Sequence, residues 1–103
     1  MYEQPYEGVR RRAVDTAQAT VTEYVFEPRA RFPLHRHPEE QITIIVEGDV
    51  ELTAGGETRQ LGSGEWTATA GDVEHGIEAG DSGARFLAIV VPRRASSTAY
   101  TVS

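Results

Sequence analysis

The chain has 103 residues, 39% of them hydrophobic and 25% charged, which is the balance of one folded domain and not of a disordered segment. It contains no Cys and no Lys, so disulfides, thiolate metal sites, thiol nucleophiles, Schiff-base chemistry and a phosphate-loop lysine are all excluded. Sixteen acidic residues against ten Arg leave a formal net charge of −6, which sets the chain against phosphate backbones and anionic lipid surfaces alike.

Turn signals punctuate the sequence at short intervals, and the segments between them are rich in Val, Ile, Thr and aromatics. Residues 9–14 and 20–27 read as strands, the second closed by Pro28. Residues 41–46 end at Gly48-Asp49, and 50–54 follow at once. Gly55-Gly56 is a two-residue hairpin signal that needs positive φ at both positions and joins 50–54 to 57–61. Beyond Gly62-Ser63-Gly64 come 66–70, then Gly71-Asp72, then 75–79. Gly80-Asp81-Ser82-Gly83 matches the surroundings of a serine-protease nucleophile. The chain is too short for that fold, so the reading is a plain turn before 85–91 and Pro92. No window carries helical spacing, and eight or nine short strands in this length mean a sandwich or a barrel: an all-β domain.

Alternation puts Ile42, Ile44 and Val46 on one face of their strand and Gln41, Thr43 and Ile45 on the other. Residues 86–91 are apolar on both faces, which predicts a strand covered on both sides, one of them by a partner subunit. That run is the longest uncharged apolar stretch and is far too short to span a bilayer. The opening residues, Met1-Tyr2-Glu3-Gln4-Pro5, lack the basic and apolar regions of a signal peptide. The expectation is a cytoplasmic homodimer with no nucleic-acid or membrane partner. Arg10, Arg11 and Arg12 read as a solvated strand face or an intersubunit ion pair. The two ends, 1–6 and 95–103, read as arms.

Only three His occur: His35, His37 and His75. The first two stand at i, i+2 in an extended context, so both imidazoles share one strand face, close enough to hold a metal ion together. The same spacing also occurs on solvated strands that bind nothing. Gln41 has matching parity and joins that face in a regular strand, while Glu40 points away. His75 comes from another strand.

The stretch from Leu34 to Gly48, carrying His35, His37, Gln41 and Gly48, resembles the first signature motif of the small cupins. Gly64 and His75 keep the spacing of the second. The resemblance covers residues 8–94 and implies a single jelly-roll β-barrel with N- and C-terminal arms. It further implies a metal held by His35, His37, Gln41 and His75, with Gln41 where many cupins have Glu. Ala70 replaces the family's usual Pro and Asp72 its Gly, with Gly71 one place early. Three imidazoles and an amide oxygen suit one divalent first-row ion: Zn, Ni, Mn, Fe or Co.

An amide in place of a carboxylate leaves the site one unit more positive, so it favours an anionic, oxygenated small molecule. The functional reading is a metal-dependent enzyme of isomerase, cyclase or lyase type. The alternatives are a dioxygenase, if the ion is redox-active, and a non-enzymatic binding module. Trp66, Phe26 and Arg94 are the candidate substrate contacts. Arg94 and Pro92 match the end of the last barrel strand in the pectin-degradation cupins, whereas that family's Asp and Phe positions are Ala88 and Val90. No acid near the motifs, among Glu39, Glu40, Asp72 and Glu74, has inward parity to serve as general base.

Overall fold

A computed structural model describes residues 1–96 and 99–103. Among these residues nine antiparallel strands form one curled sheet: β1 (Glu3–Tyr6), β2 (Val9–Asp15), β3 (Thr20–Phe26), β4 (Arg31–Arg36), β5 (Glu40–Ala54), β6 (Glu57–Gly62), β7 (Trp66–Thr69), β8 (His75–Val91) and β9 (Thr101–Val102). No helix occurs among the described residues, and none is therefore long and apolar enough to cross a membrane. The path runs β1-β2-β3-β8-β4-β9, and β5 pairs β6, β7 and β8, which makes a jelly-roll barrel.

Two strands are far longer than the turn signals imply. Residues 41–46 and 50–54 belong to the 15-residue β5, and residues 75–79 and 85–91 to the 17-residue β8. Gly48-Asp49 and Gly80–Gly83 are thus corners within strands and not turns between them. The β5–β8 ladder slips between Ile45 and Glu47 and again between Gly48 and Val50, and Gly48 and Gly83 take positive φ (78° and 77°). Such bulges bend a strand and sharpen its twist, which carries one pair of strands around the barrel wall. A Cβ on Gly48 would strike the Gly83 carbonyl, so only glycine fits this corner. The Gly55-Gly56 hairpin is as expected, with φ of 58° and 81° between paired Ala54 and Glu57.

Alternation divides each strand between interior and exterior. Tyr24, Phe26, Phe32 and Phe86 meet inside, with the Tyr24 and Phe86 rings stacked at 5.1 Å and Phe26 edge-on to Phe86 at 5.0 Å. Val9, Ile45, Val50, Leu52 and Leu61 complete the core. Thr20, Thr22, Thr43 and Thr69 are also buried, which makes one end of the interior polar. Of 86–91, Phe86, Ala88 and Val90 face in, whereas Leu87 and Ile89 are half-buried on the outer face and Val91 is exposed.

The terminal segments lie on the sheet. β1 pairs with β2, and β9 pairs with β4 through His35↔Val102 and Arg36↔Thr101. The expected C-terminal arm includes residues 97 and 98, which lie outside the described residues.

Candidate metal centre

The three histidines converge because two adjacent antiparallel strands present them to the interior. His35 and His75 are register partners across β4 and β8, and His37 follows one alternation further along the chain. All three are buried, and one nitrogen from each lies within 4.8 Å of the others. The imidazole rings stand 4.3 to 5.7 Å apart, centre to centre.

Each ring has its tautomer fixed from behind. His35 Nδ1 lies 2.8 Å from the Pro33 carbonyl, His37 Nδ1 3.0 Å from that of Glu39, and His75 Nδ1 2.9 Å from that of Val73. A carbonyl can only accept, so every Nδ1 donates and every Nε2 keeps a bare lone pair. His75 Nε2 is buried without a hydrogen-bond partner. His37 Nε2 faces Gln41 Oε1 at 3.2 Å, acceptor against acceptor, while the Gln41 amide NH₂ donates to Thr43 Oγ1 at 3.2 Å. Buried unpaired acceptors are costly, and a divalent cation is the partner that three imidazoles and an amide oxygen accept together. The donor set therefore fits a metal ion. Glu40 is exposed.

Burial pushes His35 down to about 3, helped by the neighbouring His75, His37 and Arg94; burial likewise lowers His75. Neutral imidazole is the metal-binding form.

The loop before His75 shows how this chain manages without the family's Pro and Gly. Asp72 itself takes the left-handed conformation (φ 64°), which a short polar side chain tolerates, and its N–H donates to the His37 carbonyl at 2.8 Å. Gly71 packs so close to the Pro38 carbonyl that no Cβ fits. The two motifs are thereby tied together by backbone contacts.

The other candidate residues are dispersed. Phe26 lines a cavity of about 20 Å³ with Tyr24, Phe32, His35, Gln41 and His75, room for about one water. Arg94 is half-buried, and its N–H donates to Thr20 Oγ1 at 3.0 Å. Trp66 stands apart: it is 71% exposed on the outer side of β7 and does not line the cavity.

One residue escaped the sequence reading, and two, Arg11 and Glu39, were read as outward-facing but are buried. Tyr100, on the C-terminal segment, packs its ring 5.3 Å from His35 and bonds Tyr6 Oη at 3.0 Å; nothing in the sequence tied that segment to the site. Arg11 is inside the barrel, 4% exposed, although its parity with Val9 was a legible signal. Glu39 is buried with a carboxylate oxygen 3.3 Å from His37 Nδ1, behind the ring. The Glu39 carbonyl takes the Nδ1 proton and the Glu39 Oε1 makes no hydrogen bond among the described residues, so the carboxylate acts as a buried negative charge beside the ring, which raises the basicity of a ligand. Glu39→Gln should therefore lower metal affinity roughly 10- to 100-fold while the barrel still folds. Competition against a chromophoric chelator measures this, and an unchanged affinity would show that Glu39 does not act through His37.

The family model for the cupin domain matches residues 22–90. KdgF from Halomonas sp. superposes with a TM-score of 0.85 at 25% identity, over 92% of this chain and 88% of that one. An RmlC-like cupin from Shewanella frigidimarina gives a TM-score of 0.85 at 21% identity, over 92% and 86% of the two chains. Oxalate decarboxylase from Lactobacillus farciminis, in a formate complex, gives 0.90 at 19% identity over 99% of this chain but only 33% of that one. The last two are likenesses of fold. No curated protein sequence is significantly similar.

Proposed function

This chain belongs to the cupin family, and we propose that it is a metal-dependent enzyme acting on a small, anionic, oxygenated substrate, with one divalent first-row ion held by His35, His37, Gln41 and His75. The observation that carries the reading is the set of three Nδ1–H groups pinned to carbonyls, which aims three bare Nε2 atoms at one point. When bound, the ion supplies Lewis-acid polarisation of a substrate oxygen, the chemistry that isomerases, cyclases and lyases of this kind need. The chain supplies the rest. Gln41 keeps the donor set uncharged, so an anion is attracted and not repelled. Phe26, Phe32, Leu52 and Phe86 exclude water from one side. Tyr24 is the one hydroxyl lining the cavity among the described residues, and Arg11 is its register partner on β2, which makes it the candidate proton carrier.

A binding module without catalysis is the second reading, favoured by the absence of any carboxylate from the cavity lining among the described residues. A redox-active ion would make dioxygenase chemistry the third.

The role of Gln41 gives the discriminating experiment. Gln41→Glu should keep the metal and hold it more tightly, because the carboxylate neutralises one unit of charge. The same change should weaken an anionic inhibitor through repulsion in a dry pocket. Glu40→Gln, on the exposed side of the strand, should alter neither property. Calorimetric titration with metal and then with oxalate reads both. Loss of metal in Glu40→Gln with no effect of Gln41→Glu would move the fourth ligand by one residue and sink the assignment.

A homodimer is part of the proposal. On the outer face, register aligns Val14, Val21, Ile89, Ile42 and Ala68 in one row, and Leu87, Ile44 and Trp66 in the next. Arg12–Glu23 (2.7 Å), Arg85–Glu23 (3.3 Å) and Arg85–Glu47 (2.6 Å) border this strip with charges already paired within the chain. A second copy packed on it meets apolar surface with a compensated rim, the anatomy of a standard interface. Sedimentation should give twice the 11.3 kDa chain mass at micromolar concentration, and Trp66→Glu should halve it. A wild-type monomer there would contradict the dimer.

A further inference from the structure

A second pocket with charged walls opens on the same barrel, away from the histidines' own cavity. It measures about 130 Å³, and Glu3, Arg11, Asp15, Thr20, Thr22 and Arg94 are among its walls. Alternation along β2 turns Arg10 and Arg12 outward and Arg11 inward, opposite Tyr24 of β3. Burying a guanidinium in a barrel this small is expensive unless an anion accompanies it. Among the described residues an anion beside it is the Glu3 carboxylate, 3.3 Å from Arg11 Nε, on a side chain that is 59% exposed. Glu3 belongs to the N-terminal strand, whose pairing with β2 is irregular between Glu3 and Tyr6. Arg94 closes the pocket from the segment after β8, and its buried Nε has no hydrogen-bond partner among the described residues. Asp15, the other acid on the wall, is occupied: it accepts the Thr20 hydroxyl at 2.6 Å.

Register gives the distance to the histidines. Thr20, Val90, Gln41 and Thr69 form one row across β3, β8, β5 and β7. Two strand spacings, roughly 10 Å, therefore separate Thr20 from Gln41. A small acid with a second oxygen function can span that gap. With Glu3 in place the four charged walls sum to zero. With Glu3 swung out they sum to +1, which one carboxylate restores to neutrality.

We propose that Arg11 and Arg94 form a carboxylate subsite, and that Glu3 is its built-in occupant, exchanged for the carboxylate of an incoming ligand. The subsite deepens the reading of an anionic substrate and depends on it only for the end of the ligand that faces the histidines. Glu3 thereby acts as an internal competitor, which tunes affinity through an exposed residue far along the chain from the motifs.

The test is a titration of malonate into the full chain, read on the Nε–Hε cross-peaks of Arg11 and Arg94 by NMR. Four proteins are compared: wild type, Glu3→Gln, Arg94→Gln and His37→Ala. Malonate should shift both peaks saturably in wild type. Glu3→Gln removes the competitor and should tighten binding several-fold. Arg94→Gln removes a charge-assisted contact and should weaken it about tenfold or more. His37→Ala, which dismantles the histidine cluster, should leave the malonate affinity as it is in metal-free wild type. Unchanged affinity in both Glu3→Gln and Arg94→Gln would overturn the subsite, as would loss of the shifts in His37→Ala. Metal content measured on the same samples separates this result from the metal assignment, because a protein without metal that still binds malonate in this way retains the subsite.

Discussion

Loading the protein with Zn or Ni should raise its melting temperature by about 11–22 °C at metal concentrations near 100 times Kd. A ligand that binds only the folded state adds about 2.7 kcal/mol at that saturation, and a domain of this size gains about 4–8 °C per kcal/mol. The barrel alone assembles the donors: His35 and His75 meet as register partners of β4 and β8, and Gln41 arrives on β5. An unfolded chain holds His75 nearly forty residues from His37 and gains little from the ion. His75→Ala should abolish the shift, because it removes the Nε2 that is buried without a partner. Differential scanning calorimetry of both proteins, with and without metal, checks this. A shift of equal size in His75→Ala would place the ion elsewhere.

Acid should destabilise the metal-free protein well before its carboxylates titrate. His35 falls from the ordinary 6.5 to about 3 in the fold, chiefly through burial, and His75 falls in the same direction for the same reason. The unfolded chain therefore binds more protons than the native one below pH 6.5. Stability is complete above that value and is lost progressively as pH drops towards 3. Each imidazole contributes a slope of up to about 1.4 kcal/mol per pH unit. Glu23, held below its usual 4.5 by hydrogen bonds from Tyr2, Arg12 and Arg85, joins only in the lower part of the range. Urea midpoints should thus fall steeply between pH 6.5 and about 5, and His35→Gln should flatten the slope. A midpoint constant over that interval would mean that the imidazoles are not held neutral.

The site was more legible in the sequence than the topology around it. Period-2 spacing is local geometry, so it places His35 with His37, and Gln41 on the inward face of its strand, without knowledge of the partners. The absence of helix and the Gly55-Gly56 hairpin follow from equally local rules. Gly48 and Gly83 were misread because positive φ has two uses. It closes a turn when the chain reverses, and it bends a strand when the chain runs on, and only pairing with a distant strand decides between them. Arg11 was hidden for a different reason. A run of three Arg looks uniformly solvated, although alternation sends the middle one inward beside Val9, opposite Tyr24 and within reach of the Glu3 carboxylate. Tyr100 could not be read at all, since its place against His35 depends on β9 crossing back to the edge of β4.

The central claim is that three histidines and a glutamine hold one ion. Elemental analysis by plasma mass spectrometry, on protein purified without added metal, tests it most directly. The account predicts close to one first-row transition ion per chain in the wild type and essentially none in His37→Ala. Equal metal content in the two proteins would contradict it.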